Sequence, residues 1–556
     1  MIIGILWQIN SMNKKLLIFL SFSAFFFSQK KVDAQVAHIS KAWVPDLGNG
    51  NYKNPILFAD YSDPDVCRVG KDYYLIASSF DAVPGLPILH SNDLVNWTII
   101  GHALLRQPPY KHFSKTQHGN GVWAPAIRYH NDSFYIYYPD PDFGIYVVKA
   151  KKTTDVWSKP ILVEAGKGLE DPCPFWDKDG QGYLVHAFAG SRAGIRNILV
   201  LHKLNRWGTK MADEGVIVYD GHKDDPGIEG PKMYKRNGYY YIFAPAGGVS
   251  GGYQMVLRSK NIWGPYERKT VMHQGSTAIN GPHQGAWVTT PDEKQSWFIH
   301  FRDMGAYGRV DYLEPMIWKN DWPIIGIDKD GEGIGEPVIS YRKPDVGKAY
   351  PLQTPQTSDE FNGHRLGLQW QWQANPKATW YFLTSEGALR LYAQPLLKDD
   401  KNYWDVPNIL MQKFPADKFT ATTKLTFHAI QNQDKVGFVI MGMDYAYLSL
   451  TKVDNGFQVS FATCKKANEG AKEIIQTIKS ISDSTIYFRV NVSADAKCQF
   501  SYSLDGSEFV HVGNSFQAKE GRWIGAKLGL FCTSSGWNKD SGFADFDWFR
   551  IEPLTK

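Results

Sequence analysis

The chain has 556 residues, a formal charge of +5, 43% hydrophobic and 14% aromatic residues, and 50 glycines with 30 prolines. That length holds about two or three domains, and the composition excludes a disordered, coiled-coil or fibrous chain in favour of a β-rich globular one. No sustained Lys/Arg patch is present, which excludes a phosphate-neutralising nucleic-acid surface.

At the N-terminus Lys14-Lys15 precede an apolar run from Leu16 to Phe27 and a cleavage-type Val32-Asp33-Ala34, so residues 1–34 read as an export signal, with Met12 an alternative start. The run is shorter than the about 20 residues of a membrane span. The mature protein is expected to be periplasmic or, alternatively, secreted, without membrane insertion. Its removal deletes four lysines and one aspartate, leaving a charge of about +2. Cys67, Cys173, Cys464, Cys498 and Cys532 form no CxxC pair, which argues against zinc or redox chemistry. Export permits one or two disulfides, but most of these cysteines are expected in the core.

A repeat then runs through the chain. Asp63-Pro-Asp-Val-Cys-Arg68 leads through a polar turn into Tyr73-Tyr-Leu-Ile-Ala77, and Trp123-Ala-Pro-Ala-Ile-Arg128 leads into Phe134-Tyr-Ile-Tyr-Tyr138. Asp171-Pro-Cys-Pro-Phe-Trp176, Glu229-Gly-Pro-Lys-Met-Tyr234 and His283-Gln-Gly-Ala-Trp287 each precede a comparable aromatic run. β-Branched and aromatic residues bounded by Gly, Asn and Asp predict hairpins. A spacing of about 50 to 60 residues is near that of four-stranded propeller blades. The fold class is therefore all-β: a five-bladed β-propeller over 35–345, each copy supplying the first two strands of a blade.

Tyr350-Pro-Leu-Gln-Thr-Pro-Gln-Thr357 reads as a linker. Beyond it, Lys424–His428, Val436–Met441, Tyr487–Val492 and Phe500–Leu504 alternate or run apolar between turns, predicting a β-sandwich domain over 355–556.

Inner strands of a propeller surround a central channel. Aligned by their motifs, Asp63, Trp123, Asp171, Glu229 and His283 are expected to occupy equivalent places facing one shallow pocket. Converging carboxyl groups suit glycosidic bond cleavage, where one group protonates the leaving oxygen and another activates water or attacks. Glu229, with the longer reach, is assigned as general acid and Asp63 as general base. Asp171 is assigned as the charge that raises the pKa of Glu229 and holds its orientation. Asp65 shares a strand face with Asp63, but only Asp63 precedes proline as Asp171 does. Phe80 and Trp123 are candidates to border a sugar ring. His283 contacts substrate, ligates a metal in the channel, or is a satisfied structural histidine. Asp177-Lys-Asp-Gly180 and Asp328-Lys-Asp-Gly331 lack the later ligands of a calcium loop and read as turns.

These motifs resemble those of glycoside hydrolase family 43. Tyr61-Ser-Asp-Pro-Asp-Val-Cys-Arg68 is similar to its base motif, Leu169-Glu-Asp-Pro172 to its modulator motif, and Ile228-Glu-Gly-Pro231 to its acid motif. The resemblance covers nearly the whole mature chain. It implies five-bladed enzymes acting on arabinose- and xylose-containing glycans with inversion, with base Asp63, modulator Asp171 and acid Glu229. It places Phe80 and Trp123 in the terminal-sugar subsite and Arg309, or alternatively Arg302, on the substrate. It makes His283 the channel histidine that in some members helps bind calcium. No cofactor is expected to be required, and a structural Ca2+ is the one ion the resemblance allows. The second domain resembles the lectin-like, concanavalin A-type jelly-roll sandwich of exo-acting members. The expected function is release of terminal α-L-arabinofuranosyl residues from hemicellulose or pectin side chains. A β-D-xylosidase, or an enzyme with both activities, is the alternative; a non-catalytic carbohydrate-binding propeller is the reading from another class.

Overall fold

The computed structural model describes residues 39–536, 540 and 542–554. The export signal expected over 1–34 lies outside the described residues. Five antiparallel four-stranded sheets follow one another along the chain, spanning residues 65–104, 126–165, 169–220, 232–272 and 283–325. Each is a meander whose strands pair in chain order, the arrangement of propeller blades one to five.

Local sequence explains the hairpins. In blade four, Arg236 pairs with Tyr239 across Asn237 and Gly238, both at positive φ (49° and 78°). This is the two-residue turn that Asn-Gly favours, because its twist matches that of the flanking strands. Asn131-Asp132 and Asn320-Asp321 make the same turn in blades two and five.

Apolar faces of neighbouring blades close on each other. Ile76, Ile88 and Leu104 of blade one meet Ile127, Phe134 and Ile136 of blade two. Further cores join blades two and three (Tyr137, Val147, Leu184), three and four (Val185, Leu199, Ile242, Met255), and four and five (Phe243, Val256, Phe298, Met316). Val66, Leu75 and Trp97 of blade one pack on Ala286, Trp297 and Ile299 of blade five, completing the ring. Asn51–Lys53 pairs with Ser340–Arg342 across the same seam, and Leu57 bridges Asp311. A ring closed this way leaves only the outermost strand of each blade as an edge.

The second domain stacks two large sheets. Thr485–Val492 shows why: Ile486, Phe488, Val490 and Val492 are buried and alternate with partly exposed residues, so one pleat face enters the core. Their partners include Phe438, Leu448, Leu530, Phe546 and Phe549. Phe58, Tyr307, Val310 and Tyr312 of the propeller join that same cluster. Backbone bonds reinforce the seam, with Val83 and Trp372 exchanging N–H···O contacts of 3.0 and 2.6 Å. All five cysteines are free thiols, four of them buried.

Candidate active site

The prolines set the true register of the repeat. Pro64, Pro125, Pro172 and Pro231 each precede the residue that opens the regular ladder, Asp65, Ala126, Cys173 and Lys232, and in blade five Gly285 takes the place of proline and itself pairs with His300 ahead of Ala286. Two residues before each proline position, Ser62, Trp123, Glu170, Glu229 and His283 meet the same point of the second strand. Their partners are Ser78, Pro139, Ala187, Pro245 and Phe301. The next residues, Asp63, Ala124, Asp171, Gly230 and Gln284, form a second ring. The equivalence expected for Asp63, Trp123, Asp171, Glu229 and His283 is therefore corrected: Asp63 and Asp171 sit one place beyond the other three. The acid directly precedes proline in two blades, whereas Gly230 intervenes in blade four.

This offset brings adjacent side chains to one pocket. A regular strand sends successive residues to opposite faces, but Asp63, Asp171, Gly230 and Gln284 have positive φ of 57°, 55°, 59° and 45°. That conformation costs about 1–2 kcal/mol for a non-glycine residue and clusters at functional sites. In blade three the register shifts between Glu170 and Cys173. Carboxylate oxygens of Glu170, Asp171 and Glu229 consequently lie within 4.8 Å of one another.

Each acid has a distinct setting. Asp63 is buried, faces Arg309 Nη1 at 2.9 Å, and accepts a 2.5 Å hydrogen bond from Ser78 Oγ. Asp171 is buried and accepts from Gly230 N at 2.7 Å and Gln284 Nε2 at 3.0 Å. Glu229, whose side chain is 34% exposed, lies 2.6 Å from His283 Nε2. Burial and the neighbouring charge of Glu229 push the Asp171 carboxyl up to about 7, against the opposing charge of Lys232 and the Gly230 N–H. Burial together with Asp171, Glu229 and Asp63 pushes Glu170 well above the carboxylate range. Burial also acts to raise Glu229, but the His283 hydrogen bond and the charges of His283 and Arg309 outweigh it and hold this group below its ordinary value. Glu229 thus ends below its ordinary value, opposite in direction to the rise expected from Asp171, because His283 stabilises the Glu229 anion.

Arg309 is the arginine beside the acids; Arg302 instead donates to Asn280 and Tyr312. Asp65 accepts through Oδ2 from Ile127 N and Arg128 Nη1, both at 2.6 Å, which holds it against blade two. Trp123 stands in the first ring, with the Arg192 guanidinium 5.5 Å from its ring centroid. Phe80 is buried, and its backbone pairs with Val122 next to Trp123. His283 Nδ1 is buried without a partner and faces Gly252, where an added Cβ would lie 3.1 Å from it. Calcium takes six to eight oxygen ligands, backbone carbonyls and waters included, and His283 belongs to no group of three or more metal-ligating side chains among the described residues.

Sequence reasoning missed Glu170 and the residues by which the sandwich reaches the pocket. A cavity of about 330 Å3 is lined by Asp303, Gly308 and Arg309 of the propeller and by Glu520, Arg522, Trp523 and Ile524 of the sandwich. Trp523, 46% exposed and at φ 65°, meets Trp123 edge-on at 6.4 Å. Asp60 anchors this loop, accepting from Gly525 N at 3.0 Å with one oxygen and from Arg309 N at 2.9 Å with the other. The signal available in sequence was an Arg-Trp pair between glycines, Gly521-Arg-Trp-Ile-Gly525.

Carboxyl groups in differing protonation states around one reachable glutamate are what acetal hydrolysis requires, and the class that this fold and pocket define is glycoside hydrolase. Residues 52–323 match the family model for glycosyl hydrolases family 43, and residues 358–552 that for the beta xylosidase C-terminal concanavalin A-like domain. The chain belongs to glycoside hydrolase family 43. It is 38% identical to a "Putative beta-xylosidase" of Xylanibacter ruminicola, over 89% of this chain and 88% of that one. It is 35% identical to a "Beta-xylosidase" of Formosa agariphila, over 91% of both. A non-reducing end alpha-L-arabinofuranosidase of Bacteroides ovatus is 29% identical, over 91% of this chain and 96% of the other. The solved structure of xylan beta-1,4-xylosidase from Bacillus halodurans superimposes with a TM-score of 0.79 at 25% identity, covering 90% of this chain and 99% of that one.

Proposed function

We propose that the enzyme removes single terminal pentoses from plant glycans with inversion, Glu229 acting as general acid and Asp63 as general base. The carrying observation is that Glu229, alone of Asp63, Glu170, Asp171 and Glu229, is substantially exposed, while Arg309, bonded to Asp63, lines a cavity bordered by the sandwich residues 520–524. A pocket closed on that side suits a chain end rather than the middle of a polymer.

The Glu229 carboxyl gives its proton to the glycosidic oxygen as the C–O bond breaks, while Asp63 takes a proton from the water attacking the anomeric carbon. Arg309 and Ser78 orient Asp63. His283 favours the Glu229 anion. The competent form therefore exchanges that hydrogen bond for one from protonated Glu229 to the glycosidic oxygen. Asp171, fixed by Gly230 and Gln284, supports the acid from beside it.

β-D-Xylosyl is the first substrate in this reading, because relatives at 38% and 35% identity carry that name. α-L-Arabinofuranosyl, placed first from sequence, is second, supported by the Bacteroides ovatus relative. Parallel assays of aryl β-D-xylopyranoside and aryl α-L-arabinofuranoside test the order. Faster xylose release supports the first reading, faster arabinose release the second, and release of neither overturns both in favour of a binding protein.

A further inference from the structure

Glu170 holds in blade three the place that Glu229 holds in blade four: Glu170 pairs with Ala187, and Glu229 N donates to Pro245 O. Around the pocket its neighbours in that ring are Trp123 on blade two and Glu229 on blade four. Glu170 is only 7% exposed, yet among the described residues its carboxylate has no hydrogen-bond or ion-pair partner. Asp63, Asp171 and Glu229 are each tied down, by Arg309 and Ser78, by Gly230 and Gln284, and by His283. Its oxygens lie within 4.8 Å of those of Asp171 and Glu229 and are not among the buried side-chain atoms that lack a partner, so the carboxyl opens onto the same space as these two acids.

A carboxyl set this deep without a protein partner carries a desolvation cost, which a polar ligand reaching its oxygens would offset. Packing alone does not account for the carboxyl, since an apolar side chain would fill this place without the desolvation penalty. Nor does the proton-transfer chemistry, which Glu229 and Asp63 already perform in the reading above.

We propose that Glu170 is a substrate-binding residue that takes adjacent hydroxyl groups of the terminal pentose, between the Trp123 ring and the Glu229 carboxyl. The assignment rests on the pentosidase reading. A carboxyl group accepts from hydroxyls and, when protonated, donates to one as well. It therefore reads the hydroxyl pattern of the sugar being released rather than the chain left behind. Arg192, stacked toward Trp123 and bonded to Asn120 Oδ1 at 2.8 Å, borders the same side of the pocket.

The test compares the unmodified enzyme with Glu170→Ala, Glu170→Met and Glu170→Gln on the preferred aryl pentoside and on its 2-deoxy and 3-deoxy forms. Removing the carboxyl is expected to lower kcat/KM on the full pentoside by about 10–100-fold, through KM more than through kcat. It is expected to change kcat/KM little on the deoxy substrate that lacks the contacted hydroxyl. Glu170→Gln, which keeps a donor and an acceptor, should retain most of the discrimination. Methionine fills similar volume without hydrogen bonding and carries the test if the alanine variant does not fold. Equal losses on full and deoxy pentosides overturn the role of Glu170 while leaving the pentosidase reading intact. No turnover of any aryl pentoside by the unmodified enzyme overturns both.

Discussion

His283 Nε2 lies 2.6 Å from Glu229 Oε1, and this contact decides which carboxyl of the cluster holds its proton least tightly. Burial acts to raise all three of Glu170, Asp171 and Glu229, and neighbouring acids raise the first two further, yet Glu229 ends below its ordinary value, because the His283 hydrogen bond, with the charges of His283 and Arg309, outweighs burial there. Replacing His283 with Phe removes that stabilisation of the anion, so the Glu229 pKa rises. The alkaline limb of kcat/KM, which reports loss of the general acid's proton in the free enzyme, should then move to higher pH. A limb that stays in place would show that another group carries the acid role.

Asp171 links the same cluster to folding. Its carboxyl titrates near 7 in the folded chain against an ordinary 3.8. The folded state therefore binds more protons than the unfolded one between these values. This contribution to stability is fully present below about pH 4 and is lost as pH rises through about 7. The lowered Glu229 value acts in the opposite direction and offsets part of it. Asp171→Asn should be more stable than the parent at pH 8 by on the order of a few kcal/mol at most, and the gain should vanish near pH 4. Denaturant melts at the two pH values measure it, and activity should fall in the same variant.

Gly230 is required twice over. Its φ is +59°, and an added Cβ would sit 2.3 Å from Gln284 Oε1. Gln284 and the Gly230 N–H are the two donors that hold Asp171. Gly230→Ala should cost about 1–3 kcal/mol of stability through the backbone alone. It should also lower kcat by more than the melt explains, because Asp171 loses its anchor; thermal melts beside initial rates separate the two effects.

Much of the fold was legible because each blade announces itself with a short strand, an Asn/Asp/Gly turn and an aromatic run, as in Lys235-Arg-Asn-Gly-Tyr-Tyr-Tyr241. These are local signals, and local backbone preference agrees with the final sheet. The acids Asp63, Asp171 and Glu229 were legible through their prolines. Their exact register was not, because Glu229-Gly-Pro looks like Asp171-Pro until the ladders show which residue faces Ala187 and which Pro245. Glu170 was passed over as the ordinary neighbour of an assigned aspartate. Only the positive φ at Asp171 turns both side chains to one side. Trp523 lies almost 300 residues beyond Glu229 in sequence and meets Trp123 only through the packing of one domain on the other.

That packing makes a prediction of its own. Trp523 is 46% exposed and touches the site through Trp123 and the shared cavity. Trp523→Ala should leave the melting temperature within about 2 °C of the parent. It should raise KM for a terminal pentoside by about 10-fold, the value of a lost aromatic contact. An unchanged KM would remove the sandwich loop from the account of substrate binding.

The most direct test of the whole account is proton NMR of the anomer first released from a phenyl pentoside, followed in real time for the unmodified enzyme and for Glu229→Gln. Inversion through Asp63 and Glu229 predicts that the first-formed pentose has the anomeric configuration opposite to that of the substrate. It also predicts a rate about 10²–10⁴-fold lower in Glu229→Gln, since phenol is a poor leaving group that needs the proton. Release of the same anomer as the substrate, or an undiminished rate in the variant, would contradict it.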